Sequence, residues 1–512
     1  MKIKESIALV QEKRSRDGPL PIEVAPYTCS DFFKVQKRGT KPKAVRWDHR
    51  LSLESRNLRT SPLKAASRAN QGDIISLGTA RPTPEYYPWD VLTMQCRSTA
   101  ASSGNEQQQS SSMSCLDGES GYDLGIAMNY GYSTGSPQVL RYVTEHIEMV
   151  HDPPYDDWES CLTCGSTSAL DITLRILCNR GDAVLVEKYT YSGTLGTIHA
   201  QGLHTVGIEM DQFGLLPEDL DQQLDTWDSD KGPKPFVLYM IPTGQNPTGA
   251  TQNLTRRKEI YRIAVKHDLY ILEDDPYYFL NMERAGYNGT TPQSLTLDPD
   301  DYLQHLPTSY LSLDTSGRVL RIDTTSKILA PGLRCGWITG CSQIVNKFVS
   351  YSEVGIAAPA GPSQVMLYKL LDETWGHEGF IKWLNSLSEE YRQRRDMMIE
   401  ACMNSLPLEV CHWETPAAGM FIWVVVKATK HPEFGQHING ELSQKTLLHI
   451  EGEIFKKCQE NGVLVSKGSW FRPEGQELQD LCFRLTFAAS SKDVLSQGIT
   501  RFGKALRSEF AM

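Results

Sequence analysis

The stretch "DTTSKILAPGLRCGW" (323–337) places Lys327 directly after three hydroxyl residues and follows it, seven positions on, with Arg334. A lysine amine becomes a nucleophile when desolvation or neighbouring positive charge lowers its pKa, and it can then hold an aldehyde as a Schiff base. Arg334, with its planar fork, suits a phosphate beside the hydroxyls of Thr324 and Ser326. The same residues would also be unremarkable on a solvated surface, so the chemistry has to be sought in what else the chain supplies.

Other short stretches supply more. "ESCLTCGSTSALD" ends an apolar run at Gly165-Ser166-Thr167 and opens a helix, where backbone N–H groups and two hydroxyls suit a phosphate dianion. Ser and Thr are equally common as helix N-caps, so the turn alone fits either role. "EKYTYSGTL" brings Tyr191, an aromatic face for stacking on a flat ring or for ordinary packing. "IPTGQNPTG" fixes a turn with Asn246-Pro247 and leaves an amide side chain available. "ILEDDPYYF" ends an apolar run with Glu273, Asp274 and Asp275. Carboxylates at a buried strand end need a cation or donor, so one of them should have a specific partner, and a protonated ring nitrogen would serve. Tyr277 could then reach the other side of that ring.

These stretches need a scaffold that brings them together. Short apolar runs between 159 and about 340 alternate with helical segments such as "NLTRRKEIYRIAVKHD", predicting an α/β domain with a mostly parallel, helix-covered sheet. In such sheets ligands gather at the carboxyl ends of strands, where each of these residues falls. From Gly376 to about Leu406 the spacing of Phe380, Trp383, Leu384, Leu387 and Tyr391 predicts a long helix leading to a smaller lobe with strands at "GMFIWVVV", "GVLVSKGSWF" and "LCFRLTFAA". Residues 1–70 read as an extended arm with little core of its own. Residues 71–125 read as a segment between arm and small domain, with a low-complexity, mobile insertion at 97–121. Residues 126–370 are expected to form the large domain, and 371–512 the connecting helix and C-terminal domain.

Composition narrows the class. The 512 residues are 40% hydrophobic and 22% charged with a formal net charge of −10, which argues against a nucleic-acid partner held by bulk charge. With no long apolar run and no signal-peptide pattern at "MKIKESIALVQEKRSRDG", a cytoplasmic protein without a membrane span is expected. The 12 cysteines sit mostly in apolar segments and read as reduced and buried. Cys161 and Cys164 have C-x-x-C spacing, but no second ligand pair accompanies them, so no metal site is expected.

The order of parts is what decides: phosphate turn, stacking aromatic, Asn, Asp with Tyr three residues on, Lys with a trailing Arg. It resembles the fold-type I pyridoxal-phosphate (PLP) aminotransferases, specifically the aromatic and 2-aminoadipate (kynurenine-type) group and its fungal aromatic members. The resemblance runs from about Ser61 to the C-terminus through "IPTGQNPTG", "EDDPYYF" and "TSKILAPGLRCGW". It implies a large domain with a seven-stranded sheet, a smaller α+β domain and PLP as cofactor. Lys327 would carry the cofactor and move the proton, Asp274 would keep the pyridine nitrogen protonated, and Asn246 and Tyr277 would bond the ring's phenolic oxygen while Tyr191 stacks on its face. Gly165, Ser166, Thr167, Thr324, Ser326 and Arg334 would form the phosphate site. Arg484 in "CFRLTFAA" would clamp the substrate carboxylate, Gly78 in "SLGTARPTPEYYPW" would lie near the substrate, and Tyr130 in "MNYGYSTGSPQVLRYV" would reach the cofactor of a second subunit in a homodimer.

The chain also departs from that pattern. Lys64 stands where kynurenine aminotransferases carry arginine, Arg81 enters a loop usually richer in glycine, and Lys467 replaces a common proline. Arg81 or Lys64 is expected to bind the distal carboxylate of 2-oxoglutarate or glutamate. The activity implied is transfer of an amino group from an aromatic L-amino acid to a 2-oxo acid by a ping-pong route. A 2-aminoadipate-preferring enzyme, a PLP-dependent lyase and a decarboxylase share the cofactor motifs, and Arg484 favours keeping the carboxylate. A regulator with an aminotransferase-like domain would need a helix-turn-helix arm, for which the first 70 residues are too interrupted by Pro and Ser.

Overall fold

The computed structural model describes residues 2–36, 39–59, 80–96, 111–283, 297–433, 443–478 and 480–512. Its first element departs from the extended arm expected there. α1 (Ile3–Asp17) is a helix with Ile3 and Val10 buried. Arg14 Nε donates to Glu145 Oε1 at 2.8 Å, and Arg14 Nη2 meets Asp372 at 2.7 Å. Farther along, Trp47 is wholly buried and packs edge-on to Tyr270 at 5.1 Å. The described part of the arm is therefore packed on the core, tied down by residues far away in sequence that local composition cannot reveal.

The described part of the low-complexity stretch 97–121 is ordered in a strand. β1 (Val91–Cys96) pairs antiparallel with β2 (Ser111–Leu116). The serines there alternate with Met113 and Cys115, which point inward, and that period of two is a strand signal hidden by serine content. Residues 97–110 lie outside the described residues.

After the helix α2 (Pro137–Val150) comes the main sheet. Its strands are β3 (Trp158–Thr163), β4 (Ala183–Glu187), β5 (His204–Ile208), β6 (Val237–Met240), β7 (Tyr270–Asp274), β8 (Val319–Thr324) and β9 (Gly336–Cys341). The spatial order is β3-β9-β8-β7-β6-β4-β5, and β9 alone runs antiparallel to its neighbours. Residues of β3, β6, β7, β8 and β9 are buried throughout, as expected for strands covered on both faces. Helices on the crossovers, such as α3 (Ser166–Leu177) after β3, supply the cover. The expected mostly parallel α/β sheet is present.

α4 (Gly376–Ser405) leads to a second, smaller core. There a four-stranded antiparallel sheet, in the order β10 (Cys411–His412), β11 (Phe421–Val426), β13 (Leu481–Thr486), β12 (Ser466–Lys467), packs with α5 (Gln444–Glu460) and α6 (Lys492–Glu509). The strand expected across "GVLVSKGSWF" shortens to the two residues of β12. The lobes touch backbone to backbone: a Cβ on Gly244 would lie 2.5 Å from the Gly419 backbone, so neither glycine there tolerates a side chain. Among the described residues no helix is long and apolar enough to cross a membrane.

Candidate active site

The carboxyl ends of β3, β4, β6, β7 and β8 face one edge of the large domain, and β7 delivers three consecutive carboxylates there. Strand alternation sends Glu273 and Asp275 one way and Asp274 the other. Glu273 accepts from the Tyr310 and Leu311 amides at 2.8 and 3.1 Å and meets Arg321 Nη1 at 3.1 Å. Asp275 accepts from Thr243 Oγ1 at 3.0 Å and from the same guanidinium at 3.3 Å. Arg321, wholly buried, also binds Asp323. Two of the acidic residues are thereby committed to one arginine inside the protein.

Asp274 is different. Its Oδ2 accepts from Tyr239 at 2.7 Å, while its Oδ1 is buried with no hydrogen-bond partner among the described residues. Burial pushes this carboxyl up to about 6, against the Tyr239 hydrogen bond, which holds it down. A buried oxygen left without a partner fits a protonated ring nitrogen, which would repay its desolvation.

Lys327 lies in the turn that follows β8 and is half-buried. Its amine is held below the ordinary lysine value, first by burial and then by the positive charges of Arg484 and Arg334, with Asp274 opposing. That is the environment in which a lysine becomes a nucleophile. The turn is pinned from α4, where Trp383 Nε1 donates to the Ile328 carbonyl at 2.7 Å. The long helix thus does more than connect the lobes.

Between β3 and α3, Gly165 adopts φ +88°, and a Cβ there would lie 2.6 Å from Arg334 Nη2. Only glycine lets the guanidinium come so close. Arg334 donates to the Pro331 carbonyl at 3.0 Å and the Cys164 carbonyl at 3.3 Å, so its fork lies across the start of α3. Among the described residues no side chain caps that helix, leaving its first amides, with Ser166 and Thr167, for an outside acceptor. Thr324 Oγ1 donates to Ser326 Oγ at 2.9 Å, placing two further hydroxyls just before Lys327. This cradle fits a phosphate.

From the small lobe, β13 contributes Arg484. Its Nη1 donates to Asn246 Oδ1 at 2.8 Å and its Nη2 to Ser466 Oγ at 3.2 Å. The guanidinium lies 4.5 Å from the Phe421 ring centre and 4.7 Å from that of Phe471. Burial lowers its pKa, while Tyr277 and Tyr191 nearby raise it. Tyr277 is buried, edge-on to Phe421 at 5.7 Å, and burial pushes its hydroxyl well up. Tyr191 is 37% exposed, leaving a ring face available. Lys327, Asp274, Arg334, Asn246, Tyr277, Tyr191 and Arg484 thus converge.

Other expected residues do not join them. Tyr130 is 60% exposed at the surface, and Arg81 donates to the Val24 carbonyl of the arm at 2.9 Å. Lys64 and Gly78 lie outside the described residues. Cys161 is buried and donates to the Ser133 carbonyl, in keeping with a packing role. Sequence reasoning missed Tyr239, Ser466, Phe421 and Phe471. Each sits in an apolar or turn-like run whose residues look like ordinary core, and only the tertiary fold brings them to the site.

Comparison with known proteins agrees with this geometry. Residues 122–502 match the family described as aminotransferase class I and II. The chain is 47% identical over 484 residues to aminotransferase swnA of Arthroderma benhamiae, covering 93% of this chain and 94% of that one. It is 37% identical to an aromatic amino acid aminotransferase of Schizosaccharomyces pombe, covering 92% and 99%. The crystal structure of aminotransferase Aro8 from Candida albicans superposes with a TM-score of 0.85 at 37% identity, covering 92% of this chain and all of that one. The chain belongs to the class I and II aminotransferases, and it is a pyridoxal-phosphate-dependent transaminase of the fold-type I architecture.

Proposed function

We propose that the enzyme transfers the amino group of an aromatic L-amino acid to a 2-oxo acid such as 2-oxoglutarate, by a ping-pong route. The observation that carries this is the Arg484–Asn246 bond, which joins the carboxylate-binding arginine of one lobe to the cofactor edge of the other. The names of relatives support the substrate class: an aromatic amino acid aminotransferase in Schizosaccharomyces pombe, and an L-tyrosine:2-oxoglutarate aminotransferase in Tapinella panuoides, 31% identical.

Each side chain has a role in this reading. Arg334, Ser166, Thr167, Thr324, Ser326 and the Gly165 turn hold the cofactor phosphate. Asp274 Oδ1 would accept a hydrogen bond from the protonated ring nitrogen, Asn246 and Tyr277 would bond the phenolic oxygen, and Tyr191 would cover the ring face. When bound, PLP supplies an electron sink for charge developing at the substrate's α-carbon. Lys327 Nζ would hold the cofactor through its aldehyde and, when free, would take the proton from the substrate's α-carbon. Arg484 grips the substrate carboxylate with two parallel N–H groups, which orients the α-carbon and retains the carboxylate. A distal carboxylate would fall to Lys64, outside the described residues, or to Arg81 only if it leaves the Val24 carbonyl that it bonds at 2.9 Å.

The exposure of Tyr130 supports a homodimer in which it reaches the partner subunit's cofactor phosphate. We further assign 126–370 to the cofactor domain, 371–512 to the connecting helix and small domain, and the enzyme to the cytoplasm. The test is to incubate the protein with PLP, L-tyrosine and 2-oxoglutarate and measure glutamate. Stoichiometric glutamate supports transfer; cleavage products of the amino acid without glutamate would replace it with lyase chemistry.

A further inference from the structure

Asp274 is one of several acidic residues in the interior, and what distinguishes its carboxylate is a tyrosine on the next strand. In the parallel pairing of β6 and β7, Tyr239 stands opposite Leu272. Leu272 and Asp274 share a face of β7, so Tyr239 projects on the same side as Asp274, one diagonal step away, within reach of an aromatic side chain. Its ring is wholly buried. Its hydroxyl donates to Asp274 Oδ2 at 2.7 Å, and Oδ1 is the oxygen left without a partner. The hydrogen bond thus selects one of two chemically equivalent oxygens and fixes the plane of the carboxylate.

We propose that Tyr239 is a positioning residue: by occupying Oδ2 it presents Oδ1 to the protonated ring nitrogen of PLP and keeps the carboxylate ionised. This rests on the assignment of Asp274 to the ring nitrogen. Several titratable groups among the described residues are coupled to this carboxyl. Arg321 and Lys327 favour its charged form and Asp323 opposes it; Glu187 and Tyr277 sense its charge in turn. Tyr239 is the one among them that donates a hydrogen bond to it, and a bond to the ionised form stabilises that form. Without it the carboxyl retains its proton to higher pH.

The test is a double-mutant cycle in Tyr239→Phe, Asp274→Asn and the pair, reading the dissociation constant of PLP from the apo-protein across pH. Phe keeps the ring that fills the site. Loss of a hydrogen bond to a charged group is expected to weaken PLP by about tenfold or more in Y239F. The acidic limb of binding should move to higher pH. In the D274N background the same substitution should change affinity by no more than about twofold, because the carboxylate it acts on is gone. Three results would overturn the proposal. Wild-type affinity and pH limb in Y239F, beside a weakened D274N, would show that the hydrogen bond is idle. A loss in Y239F that persists in D274N would show a general packing effect. Unaltered PLP affinity in D274N would remove the ring-nitrogen assignment itself, and the proposal with it.

Discussion

Arg484 of the small-domain sheet donates a 2.8 Å hydrogen bond to Asn246, which stands in the turn after a central strand of the large domain. Two lobes with separate cores meet through a guanidinium that also lies against the rings of Phe421 and Phe471. In the proposed reaction, a substrate carboxylate bound there would be held by both lobes at once.

Removing that guanidinium should therefore separate substrate binding from cofactor binding. Truncating one partner of a buried, hydrogen-bonded charge pair costs about 2–5 kcal/mol, so Arg484→Ala is expected to lower kcat/KM for the amino donor by ~30-fold or more. Arg484→Lys should recover little, since an ammonium cannot form the paired contact. Steady-state kinetics with a parallel PLP titration would check this. Loss of PLP affinity equal to the loss of kcat/KM would mean that Arg484 supports the cofactor instead.

Glu187 makes a prediction about pH. It is wholly buried at the end of β4, where its Oε2 accepts from Gln245 Nε2 at 2.9 Å and from the Ile241 amide at 3.2 Å, bracing the turn that carries Asn246. Burial pushes its carboxyl up from 4.5 to about 8. The native state holds the proton and the unfolded chain releases it near 4.5, so this contribution to stability is whole below that pH and lost as pH rises through about 8. Glu187→Gln, which keeps a neutral side chain of the same shape, should flatten the pH dependence of unfolding between these values. The slope removed is at most about 1.4 kcal/mol per pH unit. Denaturant melts at pH 6 and pH 8 decide it, and an unchanged slope in the variant would mean that Glu187 is not a proton-holding group.

Arg321 should behave in the opposite way to the site residues. It neutralises Glu273, Asp275 and Asp323 in the interior. Arg321→Leu takes the cation from Asp323 and Asp275 and leaves Glu273 only the longer contact to Arg257 at 3.8 Å, at a cost of about 3–5 kcal/mol. A lower denaturant midpoint of the apo-protein is expected, whereas Asp274→Asn should leave that midpoint nearly unchanged while weakening PLP. Equal stability losses in both would show that Asp274 also belongs to the ionic core.

These cases show what the chain's text could and could not reveal. Lys327, Arg334, Asn246 and Tyr277 were legible because each lies in a short turn whose residue types and spacing are set locally, just past a strand whose apolar run is itself plain. Which of Glu273, Asp274 and Asp275 remains free for a ligand depends on Arg321 from another strand, so their order alone could not decide it. Tyr239 reads as one more core aromatic until β6 is laid beside β7. The first helix was illegible for a related reason: its polar sequence has little apolar face, and it is held by Arg14 reaching Glu145 and Asp372. β2 was hidden because a run of serines masks the alternation of Met113 and Cys115.

The most direct test of the whole account is to identify the lysine that binds PLP. The holoenzyme would be treated with borohydride, which makes the reducible bond between lysine and cofactor permanent, and the labelled peptide mapped by mass spectrometry with and without prior addition of L-tyrosine. The expected result is a label on Lys327 that prior tyrosine abolishes, together with no label in Lys327→Ala. A label on a different lysine, or one on Lys327 that tyrosine does not reduce, would contradict the role given to this residue and to the site built around it.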